Sequence, residues 1–97
     1  MSQTPISTCT LPDGPRFAAF VGLLEPLLMA AAVAEGGVAQ ALSVALDLPT
    51  DAAPGTPLTL DAWVERATRT LVFANAQAKS EDGTVLATAS AILKLTR

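Results

Sequence analysis

The sequence predicts an α+β domain in which one long central helix packs on a four- to five-stranded antiparallel sheet. Three features carry that expectation. Residues 17–34, FAAFVGLLEPLLMAAAVA, are almost wholly apolar, and their large side chains recur at helical spacing. From Val38 the period changes to two and holds nearly to the end of the chain. Asp82-Gly83 then stands between two alternating runs, a strong short-range hairpin signal. A helix followed by a run of strands is the α+β order, with the helix set against one face of the sheet.

Ninety-seven residues make a single domain, read as a short N-terminal segment (1–13), a helix (14–35) and antiparallel strands (38–97). With 51% hydrophobic residues, only 15% charged residues and a mean hydropathy of +0.44, so small a chain has more apolar surface than it can hide alone. An oligomer, dimer or tetramer, is therefore expected to cover part of it. A net charge of −3 and six scattered basic residues exclude nucleic acid as a partner, because phosphate backbones need clustered Lys and Arg. The chain has no His and one Cys, which removes Ser-His-Asp chemistry and leaves no expected metal site. Cys9 reads as a small apolar filler in a first strand, and a lone cysteine fits a reducing, cytoplasmic compartment. The opening MSQTPISTCT lacks the basic and apolar regions of a signal peptide. Residues 17–34 approach the length of a membrane span, yet Glu25 would lie at the bilayer centre beside Pro26, so no membrane partner is expected.

In chain order, Ile6–Leu11 can form a short strand and Leu11-Pro12-Asp13-Gly14-Pro15 a turn, with Asp13 placed to cap the helix. Phe17, Phe20, Val21, Leu24, Leu28 and Ala31 make the buried stripe. Pro26 predicts a kink or break, and Glu35-Gly36-Gly37 the end of the helix. Val38–Leu48 alternates Val38, Gln40, Leu42, Val44 and Leu46 against small residues, which suits a strand at a subunit seam. PTDAAPGTP (49–57) is a loop, followed by strands over 58–68, 71–79 and 85–95, their second faces polar enough to meet water.

One stretch is more specific than this patterning. Gly55-Thr56-Pro57-Leu58-Thr59-Leu60-Asp61-Ala62 runs through Val64-Glu65-Arg66 to Arg69-Thr70-Leu71-Val72-Phe73, and Glu81-Asp82-Gly83 leads into Val85-Leu86-Ala87-Thr88-Ala89. From Gly14 to Leu95 the chain resembles the hotdog fold of acyl-CoA thioesterases and thiol ester dehydratase-isomerases. The resemblance implies a thioesterase acting on a small acyl-CoA or acyl-pantetheine, with the acyl site between subunits. It implies no cofactor, since coenzyme A enters only as part of the substrate. Gly14-Pro15-Arg16 takes the place of the family's helix-start turn, which implies that Gly14, Arg16 and Phe17 bind substrate and that N–H groups near Arg16 and Phe17 would polarise the thioester carbonyl. Glu25 falls at the place of the family's acid, as general base or nucleophile.

A carboxylate buried among Val21, Leu24 and Leu28 would have its charged form disfavoured, which suits a base. The structural alternative stays open: Glu25 caps the segment opened by Pro26, or pairs with Arg16. Arg66 and Arg69 are candidates for the phosphates of coenzyme A, or are solvated strand ends. A non-catalytic hotdog module that binds an acyl ligand or only oligomerises is the competing function.

Overall fold

The computed structural model describes residues 6–97; residues 1–5 of the N-terminal segment lie outside the described residues. The elements are β1 (Ile6–Thr10), α1 (Arg16–Val33), β2 (Val38–Asp47), β3 (Pro57–Ala67), β4 (Leu71–Lys79) and β5 (Val85–Thr96). The five strands form one antiparallel sheet in the order β1-β3-β4-β5-β2. Helix α1 lies across its inner face, touching β2, β3, β4 and β5.

The inner face explains how the helix fits. Ala74, Ala76, Ala78, Ala87, Ala89 and Ala91 form a buried floor of methyl groups beneath it. Phe20, Leu24 and Leu28, one turn apart, project onto that floor, with Ala31 and Ala32 closing the C-terminal turn. Phe17, expected in the same stripe, is instead 57% exposed. The segment Arg16–Val33 is long and apolar enough to cross a membrane, and here one side of it packs on the sheet. It continues as α-helix through Pro26, where a kink or a break was expected, so the helix is not broken there. Proline collides with the carbonyl four residues back, and that residue is Gly22, exposed and with open space where a Cβ would be. Water can therefore serve the carbonyl that Pro26 leaves without a donor.

The alternation read from β2 needs one correction. Ala41 pairs with Leu93 and Ser43 with Ile92, so Leu42 is the extra residue of a β-bulge. Before it Ala39 and Ala41 face inward; after it Val44 and Leu46 do, while Val38 and Leu42 stand exposed. β3 carries a matching bulge at Glu65, between the pairs Val64–Ala74 and Arg66–Phe73. A third irregularity, at the start of β5, buries the adjacent residues Leu86 and Ala87.

Gly37 turns the chain from helix to β2 at φ +132, and a Cβ there would meet the Thr96 carbonyl oxygen at 2.6 Å. Gly37→Ala combines left-handed strain with that collision and should cost about 2 kcal/mol, read as a lower urea midpoint at unchanged slope.

The β4–β5 hairpin closes through Asp82, which accepts from the Ser80 hydroxyl and, at 3.0 Å, from the Thr84 N–H. These bonds, the Ser80 hydroxyl foremost, hold its carboxyl down from 3.8 to about 2. A depressed folded-state value stabilises above the unfolded value and is lost as pH falls. Wild type should therefore lose stability faster than Asp82→Asn as pH falls from 3.8 toward about 2, seen in unfolding midpoints.

Candidate active site at the helix start

The helix opens without a side-chain cap. Pro15 occupies the N-cap position (φ −58, ψ 128) and, among the described residues, no side chain caps the first turn, so Asp13 does not cap as expected. The Pro15 carbonyl accepts the Ala19 N–H at 3.0 Å. The N–H groups of Arg16, Phe17 and Ala18 therefore have no intrahelical acceptor, and they point along the positive end of the helix dipole. Gly14, at φ +114, makes the bend that leads into them. Such a turn can receive a carbonyl oxygen that gains negative charge.

Arg16 does not reach Glu25. Its guanidinium forms an ion pair with Asp51 and donates to the Thr50 carbonyl at 3.3 Å. Asp51 in turn accepts from the Ala52 N–H at 3.1 Å. Arg16 thus ties the 48–56 loop to the helix start. The same loop is pinned to Leu11, whose carbonyl accepts the Gly55 N–H at 2.7 Å and whose N–H donates to Thr56 at 2.9 Å. The sequence pointed to Arg16 but not to its partner, because Asp51 is one acid in a loop 35 residues away. Beside the loop lies a depression of about 340 Å³ bordered by Asp51, Thr56, Ser80, Asp82 and Thr84. Its two carboxylates make it unsuited to phosphate.

Glu25 is exposed in the single chain, contrary to the burial expected from its neighbours. The helix is apolar nearly all round, and Glu25 falls on the side that the sheet does not cover. Phe17, Ala18, Gly22, Pro26 and Ala30 are exposed with it. Glu25 lies eight residues beyond Phe17, about 12 Å along the helix axis. One chain therefore cannot bring its helix-start donors and its own Glu25 to the same carbonyl.

Arg66 and Arg69 stand at the other end of the sheet. Arg66 lies level with Ser43 across the strands, and Ser43 is seven residues from Thr50 at the helix start, on the order of 20 Å. The Arg66 guanidinium sits 5.9 Å from the centre of the Phe73 ring on the outer face. Arg69 is exposed in the β3–β4 turn, where Thr68 and Leu71 bond to each other. Within one chain, then, Gly14, Arg16 and Phe17 are together, and Glu25, Arg66 and Arg69 are apart from them. Cys9 is half-buried opposite Leu58, and burial pushes its thiol up. Among the described residues, no group of three or more His, Cys, Asp or Glu side chains is placed to hold a metal.

No protein-family model and no curated protein matches the sequence. Solved structures are similar in fold. The smu.793 protein of Streptococcus mutans, bound to acetyl CoA, superposes with a TM-score of 0.87 over 96% of this chain and 81% of its own, at 15% identity. A hypothetical thioesterase of Streptococcus pneumoniae with coenzyme A gives 0.88 over 98% and 82%, at 11% identity. Zebrafish thioesterase superfamily member 2 gives 0.86 over 96% and 75%, at 16% identity. One helix on this five-stranded antiparallel sheet, shared with those structures at such scores, is the hotdog fold, and this chain has it.

Proposed function

We propose that the chain is one subunit of a homo-oligomeric thioesterase that hydrolyses a small acyl-CoA or acyl-pantetheine. The observation that carries this reading is the exposed carboxylate of Glu25, out of reach of its own helix start on the uncovered side of an apolar helix. The similar structures that hold acetyl CoA and coenzyme A support the substrate class.

β1 and β2 are the two edges of the sheet, and β2, the longer, presents Val38 at 72% and Leu42 at 55% exposure. A second copy pairing there antiparallel covers both side chains and joins the two sheets. The two helices then run side by side in opposite directions, which sets the helix start of one beside Glu25 of the partner subunit. In this arrangement the N–H groups of Phe17 and Ala18 hold the thioester oxygen. Glu25 of the partner subunit takes a proton from water, and the resulting hydroxide attacks the carbonyl carbon. The tetrahedral oxyanion collapses, the C–S bond breaks, and the departing thiolate takes up the proton. Attack by the carboxylate itself is the nucleophilic variant of the same geometry. Arg66 and Arg69 supply cations for the phosphates from the far end of a sheet.

The test is a panel of acyl-CoA thioesters with free thiol as the readout. Hydrolysis above the blank supports the reading. Binding of coenzyme A without hydrolysis of any panel member would instead identify a non-catalytic acyl-binding module.

A further inference from the structure

The chain holds two Asp-Gly pairs, Asp13-Gly14 before the helix and Asp82-Gly83 in the last hairpin. Glycine has no Cβ to shield its nitrogen, so that nitrogen can reach the side-chain carboxyl carbon of the aspartate before it and close a cyclic imide. The surroundings of the two pairs differ in the features that control this step.

At Asp82-Gly83 both reacting groups are occupied. The Asp82 carboxylate accepts from the Ser80 hydroxyl and, at 3.0 Å, from the Thr84 N–H, while the Gly83 N–H donates to the Ser80 carbonyl at 3.0 Å. Ring closure would break these bonds to turn the carboxyl onto the Gly83 nitrogen. It also needs a protonated carboxyl, which can shed its hydroxyl as water, and the same bonds keep Asp82 ionised down to about 2. Asp13-Gly14 is the opposite case. Both residues are exposed, and among the described residues neither the Asp13 carboxylate nor the Gly14 N–H has a hydrogen-bond partner. Nothing lies within 4 Å of the place where a Cβ on Gly14 would stand. Because Pro15 holds the N-cap position, no helix N–H engages Asp13.

We infer that Asp13-Gly14 is a site of spontaneous backbone isomerisation to isoaspartate, and that the hairpin holds Asp82-Gly83 out of the same reaction. The Gly14 nitrogen attacks the Asp13 side-chain carboxyl carbon. Its proton and the carboxyl hydroxyl leave together as water, giving the imide, and a second water opens the ring. Opening at the side-chain carbonyl restores aspartate. Opening at the main-chain carbonyl gives isoaspartate, in which the backbone runs through the side chain and is longer by one methylene carbon, with no net change in mass. That added carbon lies between two fixed points. Leu11 is buried and bonded through both its N–H and its carbonyl to Thr56 and Gly55, and the Pro15 carbonyl already accepts the Ala19 N–H. The bend at Gly14, φ +114, must therefore absorb it, which shifts the first-turn N–H groups. On the function proposed above, an isomerised chain loses its hold on the thioester oxygen and hydrolysis falls; only this last consequence rests on that function.

The test holds folded protein in warm, mildly acidic buffer beside a sample unfolded in urea, then cuts both with trypsin. Cleavage after Arg16 and Lys79 puts the two pairs on separate peptides, 1–16 and 80–94. An isoaspartyl peptide elutes apart from its parent at equal mass, and the imide is lighter by one water. In urea both peptides should convert. In the folded protein 1–16 should still convert, while 80–94 should slow by about tenfold or more, the loss of protonated carboxyl that a value near 2 imposes. Equal conversion of both peptides in the folded protein, or conversion of 1–16 in urea alone, overturns the inference. Asp13→Glu can close only a larger, slower-forming ring, so its 1–16 peptide should stay unchanged; an isomer of that peptide would place the reaction elsewhere and overturn the assignment. Thioester hydrolysis is followed in parallel. It should fall with the isomerised fraction in wild type and hold in Asp13→Glu. Full activity in isomerised wild type overturns the displacement of the helix start. A chain that hydrolyses no thioester at the outset removes the proposed function and leaves the peptide result to decide the site.

Discussion

Glu25→Gln is expected to lower thioester hydrolysis by about 10²- to 10⁴-fold, the usual contribution of a positioned general base. The substitution keeps the side chain's size and removes only its capacity to accept a proton. Glu25 is exposed and α1 runs unbroken through Pro26, so the fold has little to lose. The loss should fall in kcat, because the proton is taken in the transition state and not on substrate binding. Full activity in Glu25→Gln would remove Glu25 from the chemistry. If the site is shared between subunits, mixing Glu25→Gln with a variant damaged at the helix start should recover part of the activity in mixed dimers.

Phe20→Ala should cost about 4 kcal/mol and lower the thermal midpoint by on the order of 20 °C, measured by circular dichroism. Phe20 is the largest fully buried side chain, at 0% exposure, and it stands on a floor of alanine methyl groups. Alanines have no side-chain length with which to fill a vacated volume, so the cavity stays open and the loss lies high in the range for such substitutions. The sheet beneath should remain paired, since its strands bond to one another independently of the ring. A midpoint shift of a few degrees would mean that α1 settles onto the sheet when the ring is removed.

The order of elements was legible because each boundary carries local chemistry: Pro15 at the helix start, Gly36-Gly37 at its end and Asp82-Gly83 in the last hairpin. The faces were harder to read. In β2 both candidate faces are hydrophobic, so alternation alone had no contrast with which to mark the bulge at Leu42. In α1 apolar residues surround the axis, and periodicity could not separate the side on the sheet from the side that bears Glu25. The Arg16–Asp51 pair joins residues 35 apart and leaves no local trace. The separation of Arg66 and Arg69 from the helix start follows from strand direction, which becomes visible only when the ladder is laid out. What the sequence did carry was the turn at the helix start and the lone carboxylate beyond it; their separation along one helix follows from the rise of the helix itself.

The bulges at Leu42 and Glu65 have a consequence for how this fold tolerates change. Each of these strands holds one residue more than its ladder can use. Removing Leu42 outright would leave Ala41 opposite Leu93 and Ser43 opposite Ile92, with every inward side chain still inward. A deletion there should therefore be milder than one two or three positions away, which would invert part of the strand. The spare residue acts as a slip joint. It lets the two halves of β2, one beside the helix end and one beside the 48–56 loop, vary in length separately, so a free edge can change while the packing under the helix stays in phase.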